Sequence, residues 1–237
     1  MEDREKNKKV VMVIAAHPDD SEFGCGGTIA KWAKEGQQVI CIVCTNGDKG
    51  TSDESLTSEE LARIREHEQK KASKVLGVSK VIFLGYPDGG LEDTAEFRGK
   101  LVWLLRKYRP DIVITHDPKL RYMGHRDHRI TGTVAMDAIF PYSRDPLFYP
   151  EHKAEGLIPH KVRQVYFMGS EDPDVFIDIS ETFDIKIKAI GCHLSQVGSH
   201  RQDWEQWVDQ MAQRSAAVGK SHGLRFAEAF RIIEPRR

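Results

Sequence analysis

The stretch Val10-Val11-Met12-Val13-Ile14-Ala15-Ala16-His17-Pro18-Asp19-Asp20 sets the fold expected of this chain. Its first seven residues are apolar, mostly β-branched, and free of polar alternation. Such a run predicts a strand over 10–16 that is buried on both faces of a parallel sheet. An imidazole and two carboxylates then stand together where the strand ends. Open α/β sheets bind their ligands at the carboxyl ends of their strands. His17, Asp19 and Asp20 therefore offer metal ligands and a proton carrier within one turn. Taken alone, the same residues also read as a helix cap for the segment that follows.

A second cluster favours the metal reading. His125-Arg126-Asp127-His128 comes shortly after another buried-type run, Ile112-Val113-Ile114-Thr115, and Ile130 to Phe140 behind it reads as helical. Three nitrogen and oxygen ligands with an open fourth position describe a catalytic zinc site, and His17, Asp20 and His128 can supply them.

Outward from these two strand ends, the first half of the chain alternates strand and helix. A helix is expected over 26–35, stopped by Gly36, and then a strand over 38–45. Ser58-Glu59-Glu60 opens a helix that runs to Leu76 and stops at Gly77. A strand over 80–84, a helix over 94–108 and a strand over 111–115 follow. Later come strands over 162–168 and 175–177, helices over 180–196 and 201–217, and a last strand over 227–233. The pattern predicts a Rossmann-like α/β fold, a mostly parallel sheet flanked by helices with right-handed crossovers. Residues 141–161 break it with four prolines and little periodicity, as a flap near the site or as a surface excursion. No linker divides the chain, so 10–237 is expected to be one domain behind a charged tail at 1–9. A dinucleotide site is the weaker alternative, because Gly24, Gly26 and Gly27 miss the GxGxxG spacing. Gly26-Gly27 can equally serve a close approach of helix to strand.

Composition narrows the partners. Over 237 residues, 30% are charged, 40% are hydrophobic, and the formal net charge is −1. No global field favours nucleic acid or an anionic membrane. No apolar run approaches the ~20 residues that span a bilayer, and the charged start lacks a signal-peptide core. The expected compartment is the cytoplasm. Cys41 and Cys44 form a CxxC, but inside a strand they point to opposite faces and read as core.

Taken together, Ala16-His17-Pro18-Asp19-Asp20 with Glu22 and Gly26-Gly27-Thr28 resembles the LmbE-like (PIG-L) family of zinc deacetylases. Four further segments agree with that family: Arg65 and Glu68 leading into Ala72 and Leu76-Gly77; Gly85-Tyr86-Pro87-Asp88-Gly89-Gly90-Leu91; Arg109-Pro110-Asp111-Ile112-Val113 with His125-Arg126-Asp127-His128; and Cys192-His193-Leu194-Ser195-Gln196 with the late Ala227-Glu228-Ala229-Phe230. The resemblance implies one zinc ion per chain on His17, Asp20 and His128. It makes Asp19 the general base. His125 would face the oxyanion or protonate the leaving amine, and Asp127 would orient an imidazole. Arg65 and Asp88 are the implied substrate contacts, while His193 and Gln196, one helical turn apart, either close the far side of the pocket as further substrate contacts or are polar residues of the helix surface or core. Without the resemblance, Arg65 and Asp88 read equally well as an ion pair joining helix and loop.

The implied reaction removes acetyl from an N-acetylglucosamine-type conjugate, a small molecule, in a homo-oligomer (a trimer or hexamer). A metal-binding module without catalysis, or an amidase for a non-sugar N-acyl substrate, is the alternative. Ser21 stands where the family often has an acid, and Tyr122 stands three residues before His125 where some members carry a tyrosine. His116 ends its strand and can support the site from behind. His67, His152, His160, His200 and His222 read as solvated. Trp32, Trp103, Trp204 and Trp207 read as packing residues on helices.

Overall fold

The computed structural model describes residues 8–120, 124–197 and 202–235. Strand β1 (Val10–Ala15) leads to helix α1 (Asp20–Lys34), β2 (Gln38–Thr45) to α2 (Ser58–Leu76), β3 (Lys80–Tyr86) to α3 (Ala95–Tyr108), and β4 (Ile112–His116) to α4 (Arg126–Asp137). Then come β5 (Gln164–Met168), β6 (Val175–Asp178), α5 (Phe183–Ile190), α6 (Trp204–Lys220) and β7 (Ala227–Ile233). The strands form one seven-stranded sheet in the order β3-β2-β1-β4-β5-β7-β6. Pairing is parallel from β3 through β5, and β7 runs antiparallel to both β5 and β6. The chain winds outward from β1 to β3, then crosses back to lay β4 on the other side of β1. Such a reversal opens a crevice beyond the carboxyl ends of the two strands.

Strand β1 feeds two cores. Met12 and Ile14 pack on one face of the sheet, Val11 and Val13 on the other, all fully buried. That double burial explains the absence of polar alternation in the sequence. Cys41 and Cys44 also divide between the two cores, so their thiols share no metal.

Helix α2 starts and stops as expected. Thr57 and Glu60 form a reciprocal capping box, and Gly77 ends the helix at φ 80°. Helix α1 departs from expectation. It begins at Asp20, well before residue 26, and breaks at Cys25 (φ −150°, ψ 21°). Lys186 Nζ donates to the Phe23 carbonyl at 2.8 Å, while Glu228 accepts the amides of Gly27 and Thr28 at 2.9 and 2.8 Å. The two side chains pair at 2.6 Å, both buried. One ion pair thus satisfies both ends of the break. The glycines there serve close approach, since a Cβ on Gly27 would meet Ile179 at 2.7 Å.

Three later elements also differ from the sequence pattern. Helix α4 begins at Arg126 rather than Ile130, because the His125 ring caps it and Nδ1 accepts the Asp127 amide at 3.2 Å. Helix α5 covers only Phe183–Ile190, and α6 starts at Trp204, whose ring packs against Gly191. The 141–161 segment is an ordered excursion pinned by one buried side chain. Arg106 of α3 donates to the carbonyls of Tyr142, Ser143, Asp145, Phe148 and Tyr149. His152, expected in solvent, is buried beneath this loop and stacks on Tyr149. His160 is half-buried, with Nε2 2.7 Å from the Pro110 carbonyl. His67 and His222 are exposed as expected. Residues 1–7, Tyr122, His200 and Arg201 lie outside the described residues. No helix among the described residues is long and apolar enough to cross a membrane.

Candidate active site

His17 leaves β1 and points both ring nitrogens at partners. Nδ1 stands 3.2 Å from Nε2 of His128 and 3.4 Å from Oδ2 of Asp20, and His128 Nε2 stands 3.1 Å from Oδ1 of Asp20. Three donors about 2.0–2.1 Å from a tetrahedral centre have edges of about 3.3–3.4 Å. The pairwise spacings are near those edges, with Asp20 offering a different oxygen to each histidine, Oδ2 toward His17 and Oδ1 toward His128. The other nitrogen, Nε2, faces two carboxylates: Asp88 Oδ1 at 3.1 Å and Asp127 Oδ2 at 3.2 Å. Asp127 is fully buried and accepts the amides of Gly89 and Leu91 at 2.7 and 3.3 Å. Carboxylates behind a metal-facing imidazole fix its tautomer. Asp127 thus orients His17, while it binds His125 only through its own amide.

Asp20 is held by β4 and by its own turn. Its Oδ2 accepts the His17 amide at 2.7 Å and lies 3.1 Å from His116 Nε2. The His116 ring stacks on His128, with centroids 4.0 Å apart. Burial would raise the Asp20 carboxyl, but His116, His128 and His17 together hold it well below the usual range. Burial would likewise lower His17. The hydrogen bonds and charges of Asp20 and Asp88 outweigh that, pushing the ring up to about 10. The protonated form of the His17 ring is therefore favoured by its carboxylate neighbours. Among the described residues, three overlapping groups have metal-binding geometry: His17 with His125 and His128, Asp20 with His116 and His128, and His17 with Asp88 and Asp127.

Beside this cluster stands Asp19, in the left-handed region at φ 93°. Arg65 of α2, buried, donates through Nη2 to Pro18 O at 2.7 Å and to Asp19 Oδ2 at 3.2 Å, and through Nη1 to Gly47 O at 3.0 Å. One turn further along α2, Gln69 Oε1 accepts the Asp19 amide at 2.8 Å. Burial first, then the neighbouring Asp20 charge, pushes the Asp19 carboxyl up to about 7 against the pull of Arg65 and His193. Such a group is poised to take a proton near neutral pH.

Arg65 and Asp88 are both engaged within the protein, Arg65 on the Asp19 turn and Asp88 on His17. Asp88 also ties the loop after β2 to the site: its amide donates to Asp48 Oδ1 and its carbonyl accepts from Lys49 Nζ, both at 2.8 Å. His125 is exposed at the mouth, edge-on to His17 with centroids 4.6 Å apart. Partial burial and the neighbouring His17 and His128 lower its pKa. His193 is fully buried, and its Nε2 lies 3.4 Å from Glu22 Oε2. Gln196 reaches the Gly50 carbonyl at 2.9 Å. Sequence reasoning missed Gln69. The available signal was its helical spacing from Arg65, which puts both on one face of α2.

The PIG-L family, described as GlcNAc-PI de-N-acetylase, matches residues 12–139. The diacetylchitobiose deacetylase of Thermococcus kodakarensis is 36% identical over 225 residues, covering 95% of this chain and 83% of that protein. The structure of the N,N'-diacetylchitobiose deacetylase from Pyrococcus horikoshii with its inhibitor MPG superposes with a TM-score of 0.89 at 36% identity, covering 98% of this chain and 86% of that one. A 1D-myo-inositol 2-acetamido-2-deoxy-alpha-D-glucopyranoside deacetylase of Streptomyces avermitilis is 32% identical over 66% of this chain and 60% of its own length. With that likeness spanning nearly all of its length and its fold, the chain belongs to the PIG-L (LmbE-like) family and is an amide hydrolase of the N-deacetylase kind.

Proposed function

We propose that this enzyme removes the acetyl group from an N-acetylglucosamine-type conjugate, using one zinc ion held by His17, Asp20 and His128. The observation that carries the reading is the convergence of His17, Asp20 and His128, whose side chains approach one another pairwise at 3.2, 3.4 and 3.1 Å, with the raised carboxyl of Asp19 beside them. A nitrogen, nitrogen and carboxylate set with an open side suits catalytic zinc. When bound, the ion supplies Lewis acidity, polarising the amide carbonyl and making an adjacent water easier to deprotonate. Asp19 takes the water proton. His125, on the open side, faces the developing oxyanion or passes a proton to the leaving amine. Asp88 and Asp127 keep Nε2 of His17 protonated, so that Nδ1 offers its lone pair to the ion. Arg65 holds the base.

The sugar preference rests on the relatives, two of which are named for N-acetylated sugar substrates. The family resemblance also supports a homo-oligomer, a trimer or hexamer, which light scattering of the purified protein tests. For the activity, metal analysis is combined with acetate release from N-acetylglucosamine conjugates, free N-acetylglucosamine and acetyl-lysine peptides. Sugar conjugates should be the best substrates of the zinc-loaded enzyme. Equal or better rates on peptides would remove the sugar assignment and leave the amidase.

A further inference from the structure

Asp19 carries its carboxyl on a left-handed backbone, φ 93° and ψ −26°, at the residue that opens α1. Side chains other than glycine adopt this region at a cost, and surrounding contacts must hold them there. Its carboxyl is held by Arg65. Its amide donates to Gln69 Oε1 at 2.8 Å. Gln69 is itself fully buried, and its Nε2 donates to Glu22 Oε1 at 2.9 Å and to Ser73 Oγ at 3.1 Å.

This pattern fixes the orientation of the Gln69 amide. A carboxylate only accepts, so the NH2 end must face Glu22 and the carbonyl end must face Asp19. Glu22 is fully buried as well, and its Oε2 accepts from Ser21 Oγ at 2.9 Å. His193 lies beyond it, with no hydrogen-bond partner on either ring nitrogen among the described residues. Neither Gln69 nor Glu22 touches the metal-binding cluster through any of these bonds. Their polarity is directed at the backbone of Asp19.

Resting on the reading of Asp19 as general base, we propose that Gln69 and Glu22 act as a relay of positioning residues. Glu22 polarises and orients the Gln69 amide, and Gln69 holds the left-handed turn that aims the base. A base misplaced by a fraction of a bond length loses rate without losing substrate affinity.

The test exchanges the two groups. Gln69→Leu removes the acceptor for the Asp19 amide. Gln69→Glu keeps that acceptor but sets two buried carboxylates together. Gln69→Glu with Glu22→Gln restores the whole donor and acceptor pattern in reverse, since the amide introduced at position 22 then donates to the carboxylate introduced at position 69. For each variant kcat, KM and bound metal are measured. Gln69→Leu should lower kcat by about 10- to 100-fold, with KM and metal content unchanged. Gln69→Glu should be impaired, and the exchanged double variant should recover to within about threefold of the parent, well inside the loss expected for a misplaced base. Should Gln69→Leu not fold, the exchange carries the test alone. The relay is overturned if Gln69→Leu keeps full kcat, or if the double variant folds, holds metal and stays as slow as Gln69→Glu. Asp19→Asn is assayed alongside: an active Asp19→Asn removes the base itself, whereas an inactive one beside an unimpaired Gln69→Leu removes only the relay.

Discussion

Arg65 and Asp19 meet at 3.2 Å across the turn that follows the central strand, and the same guanidinium nitrogen also reaches the Pro18 carbonyl at 2.7 Å. The arginine therefore grips both the backbone and the side chain of the turn. Lysine offers one point charge and cannot make the forked contacts to Pro18, Asp19 and Gly47 together. Arg65→Lys should lower kcat by about tenfold or more, the worth of one or two charge-assisted hydrogen bonds. A variant with normal kcat and a raised KM would instead make Arg65 a substrate contact.

Asp19→Asn should retain bound metal and lose turnover by about 10²–10⁴-fold, the range for one general base. The amide keeps the shape and tolerates the backbone but accepts no proton. In the parent enzyme, kcat/KM falls as pH drops and the base protonates. A bound divalent cation favours the ionised carboxyl, so the acid limb of the loaded enzyme should lie below the value of about 7 that burial and Asp20 impose without metal. A pH profile with an acid limb above that value would contradict this assignment.

His128→Ala should strip most of the metal while leaving the fold intact, because His128 is a half-buried residue at the site mouth. Metal analysis after dialysis reads the outcome, and full retention would exclude His17, Asp20 and His128 as the ligand set.

Metal uptake should be proton-coupled. His17 is raised to about 10, so at lower pH the metal-free ring carries a proton that a cation must displace. Affinity therefore weakens as pH falls, by about tenfold per unit if one proton is displaced. Chelator competition between about pH 7 and 9 measures it. A flat affinity would show that no proton leaves.

Breaking the pair between Lys186 and Glu228 should cost about 3–5 kcal/mol, the usual penalty for stranding one buried charge. Lys186→Met leaves Glu228 facing two amides of α1 with its cation gone. Urea unfolding of this variant, compared with the parent, reads the loss, and a midpoint within error of the parent would sink the idea.

Much of this protein is legible because its signals are local. The continuous apolar runs of β1, β2 and β4 announce parallel strands, and Thr57 with Glu60 announces a helix start. His17 and His128 stand out because each follows a buried strand, His17 directly and His128 in the first turn of the next helix, among polar residues that packing does not require. Other features depend on partners far apart in sequence. The break in α1 is stabilised by Lys186 and Glu228, which carry no signature at residue 25. His152 reads as exposed because nothing nearby in sequence reveals that Arg106 folds a loop over it. Gln69 is hidden for the same reason: its partner, the amide of Asp19, is a backbone group, and backbone groups leave no mark in a sequence.

The left-handed backbone at Asp19 also bears on how this enzyme can change over generations. Asparagine and aspartate occupy such a conformation far more readily than longer or β-branched side chains. Glutamate would carry an equivalent acid, yet it would strain the turn and would reach past the site. Substitution at this position without strain is therefore confined to aspartate, which carries the base, and to asparagine and glycine, which do not. A lineage that abandons hydrolysis and keeps its fold has those two steps available, and an asparagine or glycine at this position in a relative would mark a protein that binds without turning over.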